Sequence, residues 1–414
     1  MRLSFWTASF ATAATAAYSG DIVQYWVDRT AILVNGTMIG GLQSPPSAWV
    51  PAIVQGAQYL AATKSQTQSL AFQQLAVSVA AHNSLIWAFH GTRNYAATDA
   101  ALKAVLGPIG LDPATTGKEA ATIGKLAARA IISARSDDGA NDFVDYVFGP
   151  KDPGVYQATP GGSPVPDTPE FRFVRLFAAV GNVSQFTVPD PPKVSDPAYE
   201  GYVAYVKAHG ERNSSVRTPH DTDTAYFWRE SSPTVWNRIA NAVIGKSLAT
   251  NVLASAKFYA QLNYALANAG IAGWNVKYKY NTWRPVTAIQ RPGVWLVSGK
   301  DVSQPNWTPL LIPTPSHQDY VSTHSTFGGA ASAVIRAYVK GDKINATVSS
   351  NVTLDNRGVI TRTYTNLTEA SIENGQSRVF GGLHFPFASQ AGISLGNAVA
   401  LATLKNFDAH WAEF

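Results

Sequence analysis

Three short segments in the C-terminal half of this 414-residue chain combine cations, histidines and hydroxyl groups at close spacing. Lys277 and Arg284 lie seven residues apart, and Arg378 precedes His384 by six. Between them, residues 320–325 form a donor-rich turn just ahead of an apolar helical stretch. Lys, Arg and the amides of a helix N-terminus are the donors that hold a tetrahedral oxyanion. The inventory predicts an oxyanion pocket built from Lys277, Arg284, Ser322, Arg378 and His384.

Each segment also has an ordinary structural interpretation. Arg284 precedes Pro285 and is compatible with a simple helix end, whereas Ser322 is compatible with a cap of a helix that begins near Ser325. His384 alone is compatible with a hydrogen-bonded core histidine. The order and spacing of the three segments together favour the oxyanion pocket.

The joint pattern resembles a known signature. Lys-x6-Arg-Pro, Ser-x-His-Ser and Ser-Arg-x5-His are similar to the motifs shared by vanadium-dependent haloperoxidases and type 2 phosphatidic acid phosphatases. Trp274, the sequence at 286–289 and Phe385-Pro386-Phe387 resemble the haloperoxidase branch in particular. The resemblance covers roughly residues 270–400, and the N-terminal half matches only in its helical character.

The resemblance implies a vanadate cofactor, with hydrogen peroxide, halide and a small organic molecule as substrates. Lys277, Arg284 and Arg378 would neutralise the vanadate oxygens, Ser322 and the Thr323 amide would donate hydrogen bonds, and His384 would bond the metal. His324 would act as the acid–base group. Lys277, His324 and His384 are therefore the expected catalytic residues, and vanadium would serve as a Lewis acid.

Two positions depart from the resembled pattern. Thr323 stands where these families usually have glycine, so a required positive φ would strain the site. Ala388 stands where the phosphatases carry an acid, so no carboxylate from that position orients the final histidine.

Halide choice is also suggested by the resemblance, through Trp274 and His317. The position of His317 carries phenylalanine in chlorinating members and histidine in brominating ones. We therefore expect bromide and iodide to be favoured over chloride, the alternative being an ordinary surface histidine at 317.

Helical periodicity predicts the elements that position these groups. We expect helices over about 66–97, from the Asp112-Pro113 start to 134, and over 232–243, 248–272, 325–338 and 389–411. Strand alternation is weak. The fold class is therefore all-α, with two packed bundles and long Pro/Gly-rich loops. The expected domains are an N-terminal helical region (18–150), a loop-rich connection (151–231) and a C-terminal bundle (232–414). Two Pro/Gly-rich stretches, 147–170 and 186–200, are either a linker between two bundles or long ordered loops over a site.

Composition narrows the class of protein. Hydrophobic residues make up 46% and charged residues 14%, which is typical of a globular chain. The net charge of +5 comes without Lys/Arg runs, so nucleic-acid binding gains no support, and no apolar run beyond the N-terminus predicts a membrane span. Residues 1–17 resemble a signal peptide, and seven Asn-x-Ser/Thr sequons favour a secreted glycoprotein. Two alternatives to the peroxidase stay open: an acid phosphatase with a phosphohistidine intermediate, and a catalytically silent secreted helical protein.

Overall fold

A computed structural model describes residues 20–37, 45–90, 92, 94–291, 298–299, 301, 303–350 and 358–411. The predicted signal peptide, residues 1–17, lies outside the described residues, as does the sequon at Asn351. The helices before the site are α1 (Ile22–Thr37), α2 (Pro46–Ser65), α3 (Leu70–Ala88), α4 (Tyr95–Ile109), α5 (Lys118–Arg135), α6 (Pro197–His209), α7 (Pro219–Phe227), α8 (Ser232–Ala240) and the short α9 (Lys246–Leu248). The remaining elements are α10 (Val252–Tyr280), α11 (Pro285–Gln290), α12 (Thr323–Val339), the strands β1 (Lys343–Ser349) and β2 (Thr361–Asn366), α13 (Leu367–Phe380) and α14 (Pro386–Trp411).

The all-α prediction is confirmed, with helices packed around one continuous hydrophobic core. Helices α2, α3 and α5 pack together in the N-terminal part, and α12, α13 and α14 in the C-terminal part. Helix α10 contacts both groups, because it packs against α2 on one side and against α12 and α14 on the other. The central helix thus ties the two groups into one core.

Several predicted helix boundaries were wrong in instructive ways. The helix expected over 66–97 is two helices, because Thr92 Oγ1 bonds the Phe89 carbonyl and accepts from the Asn94 amide between α3 and α4. The start expected at Asp112 is a turn, in which the Asp112 carbonyl accepts from Gly117 N at 2.7 Å. Helix α8 is followed by a single π-helical turn, Asn241–Gly245.

Helix α10 runs eight residues past its predicted end, which matters for the site. Asn251 caps its first turn by accepting from Ala254 N, and Asn281 ends it in the left-handed conformation with φ +51°. The buried face continues through Trp274, Val276 and Lys277. Lys277 therefore lies in the last turn of a long rigid helix.

A small antiparallel hairpin was not predicted. β1 and β2 pair with Ala346 opposite Tyr364 and Ser349 opposite Thr361, while the Thr347 and Thr363 hydroxyls meet at 2.9 Å. The alternation of buried and exposed residues is short in β1, where Ala346 and Val348 are the buried positions. The helical periodicity of the flanking sequence therefore obscures it.

The closest helix pairing places the N-terminus of α12. A Cβ at Gly396 on α14 would collide with the Thr326 carbonyl, and one at Gly392 would lie 2.6 Å from the Ser322 carbonyl. Glycine at these positions allows the two helices to approach backbone to backbone. This contact fixes where residues 322–326 lie.

The Pro/Gly-rich connection covers the C-terminal bundle. Tyr156 N donates to the Asn281 carbonyl at 2.9 Å, and the Asp167 carbonyl accepts from Trp274 Nε1 at 3.1 Å. Of its two interpretations, these contacts correspond to ordered loops over a site.

One helix among the described residues, α14, is long and apolar enough to cross a membrane by length and composition, and half of its apolar window is buried inside the protein. A core helix meets the same criterion, so this is weak evidence for a span.

Candidate oxyanion site

The predicted site residues come from four helix ends that meet in the C-terminal part. Lys277 lies in the last turn of α10, and Arg284 immediately precedes α11. Ser322 immediately precedes Thr323 and His324, the first two residues of α12, and Arg378 lies in the last turn of α13. His384 follows in the connection to α14. All of these residues are at most 3% exposed, so the site is an interior cluster.

Arg284 joins the first motif segment to the third and to the loop that precedes the second. Its Nη1 donates to the Leu383 carbonyl at 2.7 Å and lies 2.9 Å from His384 Nε2. Its Nε donates to the His317 carbonyl at 2.6 Å, and its Nη2 lies 2.9 Å from His317 Nδ1. The guanidinium therefore holds both the 317–320 loop and the final histidine.

Lys277 also holds the 317–320 loop. Its Nζ donates to the carbonyls of Gln318 at 2.6 Å and Asp319 at 3.2 Å. The loop is also attached to residue Thr282, whose carbonyl accepts from Asp319 N and whose hydroxyl accepts from Tyr320 N. Its position is consequently determined by the end of α10.

His324 and Arg378 share one acceptor. The Trp228 carbonyl, at the end of α7, lies 2.9 Å from His324 Nε2 and accepts from Arg378 Nη1 at 3.4 Å. Because a carbonyl can only accept, the bond to Trp228 requires that His324 carries a proton on Nε2. Trp228 was not anticipated, since no local motif marks a backbone carbonyl.

His384 has a determined tautomer. Arg284 can only donate, so Nε2 of His384 accepts, and Nδ1 donates to Asp319 Oδ1 at 2.8 Å. Asp319 is fully buried and was missed in the sequence. One signal was available: Asp319 is the first charged side chain after Asp301 and stands three residues before Ser322.

The cluster is strongly cationic and buried from solvent. Burial lowers the pKa of Arg284 to about 10. Burial, followed by repulsion from Arg284, lowers the pKa of Arg378 to about 9 and that of Lys277 well below its usual range. Burial raises the pKa of Asp319 and of Asp167 to about 7, against the lowering effect of Arg284. With their pKa values raised, these two carboxyl groups balance the charge of the three buried cations only in part. A bound anion would therefore reduce the repulsion among the cations.

The three site histidines are neutral at neutral pH. Burial, then the charge of Arg284, lowers the pKa of His384 and His317 well below the ordinary value. For His324 the order is burial, then Arg378. A neutral imidazole with a lone pair on Nε2, as at His384, is the form that bonds a metal.

The residues present fit a bound oxyanion. Ser322 Oγ, Thr323 Oγ1 and Arg378 Nε are buried without a hydrogen-bond partner in the described part of the chain. Ser322 occupies the N-cap position of α12 but makes no side-chain cap bond, so its hydroxyl is available. The helix N-terminus adds amide donors and a favourable dipole. Within the described ranges no cluster of three or more His, Asp or Glu suits a bare cation, whereas this donor set suits an anionic metal oxide.

Thr323 is accommodated without strain. It is the first residue of α12 and is not among the described residues with positive φ. No positive φ is therefore required of residue 323 in this chain, because the backbone here is already helical.

His317 lies inside the site. It is only 2% exposed, and the ring of Trp274 lies 4.7 Å from its own, centroid to centroid. The surface-histidine interpretation was wrong, because Arg284 and Trp274 enclose the ring.

The fold and the donor set together define a helical-bundle protein with a buried, cation-rich cluster between helix ends. Residues 257–413 match the family model for the VCPO second helical-bundle domain. The vanadium chloroperoxidase of Curvularia inaequalis is 24% identical over 270 residues, which cover 50% of this chain and 44% of that protein. The chain thus aligns with less than half the length of this curated relative.

Solved structures show the same fold. A bacterial vanadium-dependent iodoperoxidase superposes with a TM-score of 0.75 at 21% identity, covering 93% of this chain and 96% of that one. A holo bacterial vanadium-dependent chloroperoxidase gives 0.74 at 17% identity, covering 95% and 99%. The predicted resemblance to the vanadium-dependent haloperoxidases is confirmed. The roles of individual site residues stay predictions.

Proposed function

We propose that this chain is a vanadate-dependent peroxidase that oxidises halide with hydrogen peroxide. The observation that carries the proposal is the convergence of three buried cations on His384. The Nε2 atom of this histidine is unprotonated, so its lone pair is available. Lys277, Arg284 and Arg378 would neutralise the oxyanion, and the unpartnered hydroxyl of Ser322 would donate to it. Coordination would replace the hydrogen bond that Nε2 now accepts from Arg284. The names of the matched relatives support this assignment.

The chemistry divides between the cofactor and the chain. Bound vanadate would supply Lewis acidity that activates peroxide toward halide. The cations would draw charge from its oxygens, in a site from which water is largely excluded. His324, whose Nε2 is bonded to the Trp228 carbonyl, would take up and return the proton.

Halide preference is the finer part of the proposal. Bromide gives up electrons more easily than chloride, so a site of moderate oxidising strength uses bromide and iodide. His317 places a polar ring beside Arg284, where a phenylalanine would keep the approach drier and the charge interactions stronger. We therefore propose that bromide and iodide are favoured.

We further propose secretion with N-glycosylation. The resemblance of residues 1–17 to a signal peptide supports it. Among the sequons in the described chain, four asparagines are exposed and accessible to modification: Asn182, Asn213, Asn306 and Asn345.

The test is a halogenation assay with monochlorodimedone on apo protein, with vanadate added or withheld and phosphate as competitor. We expect halogenation only with vanadate, hydrogen peroxide and halide together, and inhibition by phosphate. Phosphatase activity without halogenation would reject the peroxidase in favour of the acid phosphatase. Absence of both activities, with no vanadate bound, would favour the catalytically silent protein.

A further inference from the structure

Asp319 contacts the final histidine from a segment 65 residues away in sequence. Its Oδ1 accepts from His384 Nδ1 at 2.8 Å and from the Phe385 amide at 3.3 Å. The carboxylate is fully buried, and its loop is held by Lys277 and Thr282. Ala388, where the resembled phosphatases carry an acid, offers no carboxylate. The acid partner of His384 is thus supplied by a different part of the chain.

We propose that Asp319 is a positioning residue, which fixes the Nδ1–H tautomer and the ring orientation of His384 so that Nε2 meets the metal of the bound oxyanion. This inference rests on the proposed vanadate function. A carboxylate that accepts from the second ring nitrogen of a ligating histidine orients the ring and strengthens the ligand, and its loss commonly weakens metal affinity about 10- to 100-fold.

A simple charge-balancing role makes a different prediction. Asp319 lies near Lys277 and Arg284, so removal of its negative charge alone would tighten binding of any anion to the cluster. A positioning role acts only through the bond between His384 and the metal. Vanadate forms that bond, whereas inorganic phosphate has a similar shape and charge and is held by the cations and donors alone. The ratio of the two dissociation constants therefore separates the two roles.

The experiment measures both constants on intact apo protein. Vanadate binding is followed by equilibrium dialysis with vanadium quantified by mass spectrometry, and phosphate binding by calorimetry. For Asp319→Ala we expect the vanadate affinity to fall about 10- to 100-fold relative to the phosphate affinity, because loss of the negative charge shifts both affinities in the same direction. Asp319→Asn keeps an oxygen acceptor at the same place and should recover most of the loss. Asp319→Leu, which keeps the branched shape and the number of heavy atoms, should repeat the loss and replaces the alanine variant if that one does not fold.

A matched control is Asp167→Asn. Asp167 is another carboxyl group near Arg284 with a raised pKa, and no hydrogen bond from its side chain to His384 is present among the described residues. Its variant should leave the vanadate-to-phosphate ratio unchanged.

Three results would overturn the assignment of Asp319: equal changes in both affinities, loss of both, or an asparagine variant as impaired as the alanine variant. Wild-type protein that binds no vanadate would refute the proposed function and this inference together. Wild-type binding with an unchanged ratio in the Asp319 variants would refute this inference alone.

Discussion

Replacement of Lys277 by methionine removes one buried charge from the site, together with two hydrogen bonds to the 317–320 loop. Methionine is unbranched and of similar length, so it can occupy the same channel at the end of α10. Lys277 is fully buried, and its Nζ donates to the Gln318 and Asp319 carbonyls. The variant should therefore bind vanadate more weakly, because one of three neutralising cations is lost.

The magnitude follows from Coulomb's law. Two unit charges about 5 Å apart attract by about 3 kcal/mol at an effective dielectric constant of about 20, which corresponds to roughly 200-fold in the dissociation constant. The pKa of Lys277 is already lowered well below its usual range by burial and by Arg284, so part of this attraction is spent on keeping the ammonium protonated. We expect a loss between about 10-fold and 200-fold.

Equilibrium dialysis of apo protein against vanadate measures the effect, and Lys279→Met is the matched control. Lys279 lies on the same helix turn but is exposed, so its loss changes the net charge equally and should alter the affinity less than about twofold. In the wild-type protein the affinity should also fall as the pH rises through the lowered pKa of Lys277, because the ammonium then loses its charge. This component should vanish in Lys277→Met. Equal losses in the two variants would refute a specific role for Lys277.

Three further predictions concern the histidines and the fold. His384→Ala should abolish tight vanadate binding in the same dialysis assay, whereas His324→Ala should retain vanadate and lose about 10²- to 10⁴-fold in turnover; equal loss of affinity in both would show the roles misassigned. His317→Phe should gain chloride turnover relative to bromide in steady-state kinetics, and equal rates with both halides in the unmodified protein would contradict the reasoning. Gly396→Ala should lower the free energy of unfolding by about 1–3 kcal/mol, because its Cβ would meet the Thr326 backbone. Gly107→Ala has open space around it and should not destabilise the protein. Denaturant unfolding of both variants measures the difference, and equal stabilities would refute the packing argument.

The sequence alone determined the helical class and the identity of the cationic cluster. Periodicity identified six of the helices, α3, α5, α8, α10, α12 and α14, because each buries one face and that repeat is local. Lys277, Arg284, Ser322, Arg378 and His384 could be chosen because a multiply charged oxyanion needs these residue types, whichever helices carry them. Ends of helices were predicted less well. Helix α10 extends beyond its predicted end, because Trp274 and Lys277 continue a buried face that depends on packing partners.

Only the tertiary structure decided how the chosen residues are held. The hydrogen bond from His384 to Asp319 and the shared Trp228 carbonyl join positions far apart in the chain, and no local pattern encodes such pairs. Burial of His317 and the helical backbone at Thr323 were equally unavailable, because both depend on neighbours from other elements. Local chemistry selects the donors, whereas the geometry that orients them comes from contacts that exist only once distant segments pack together.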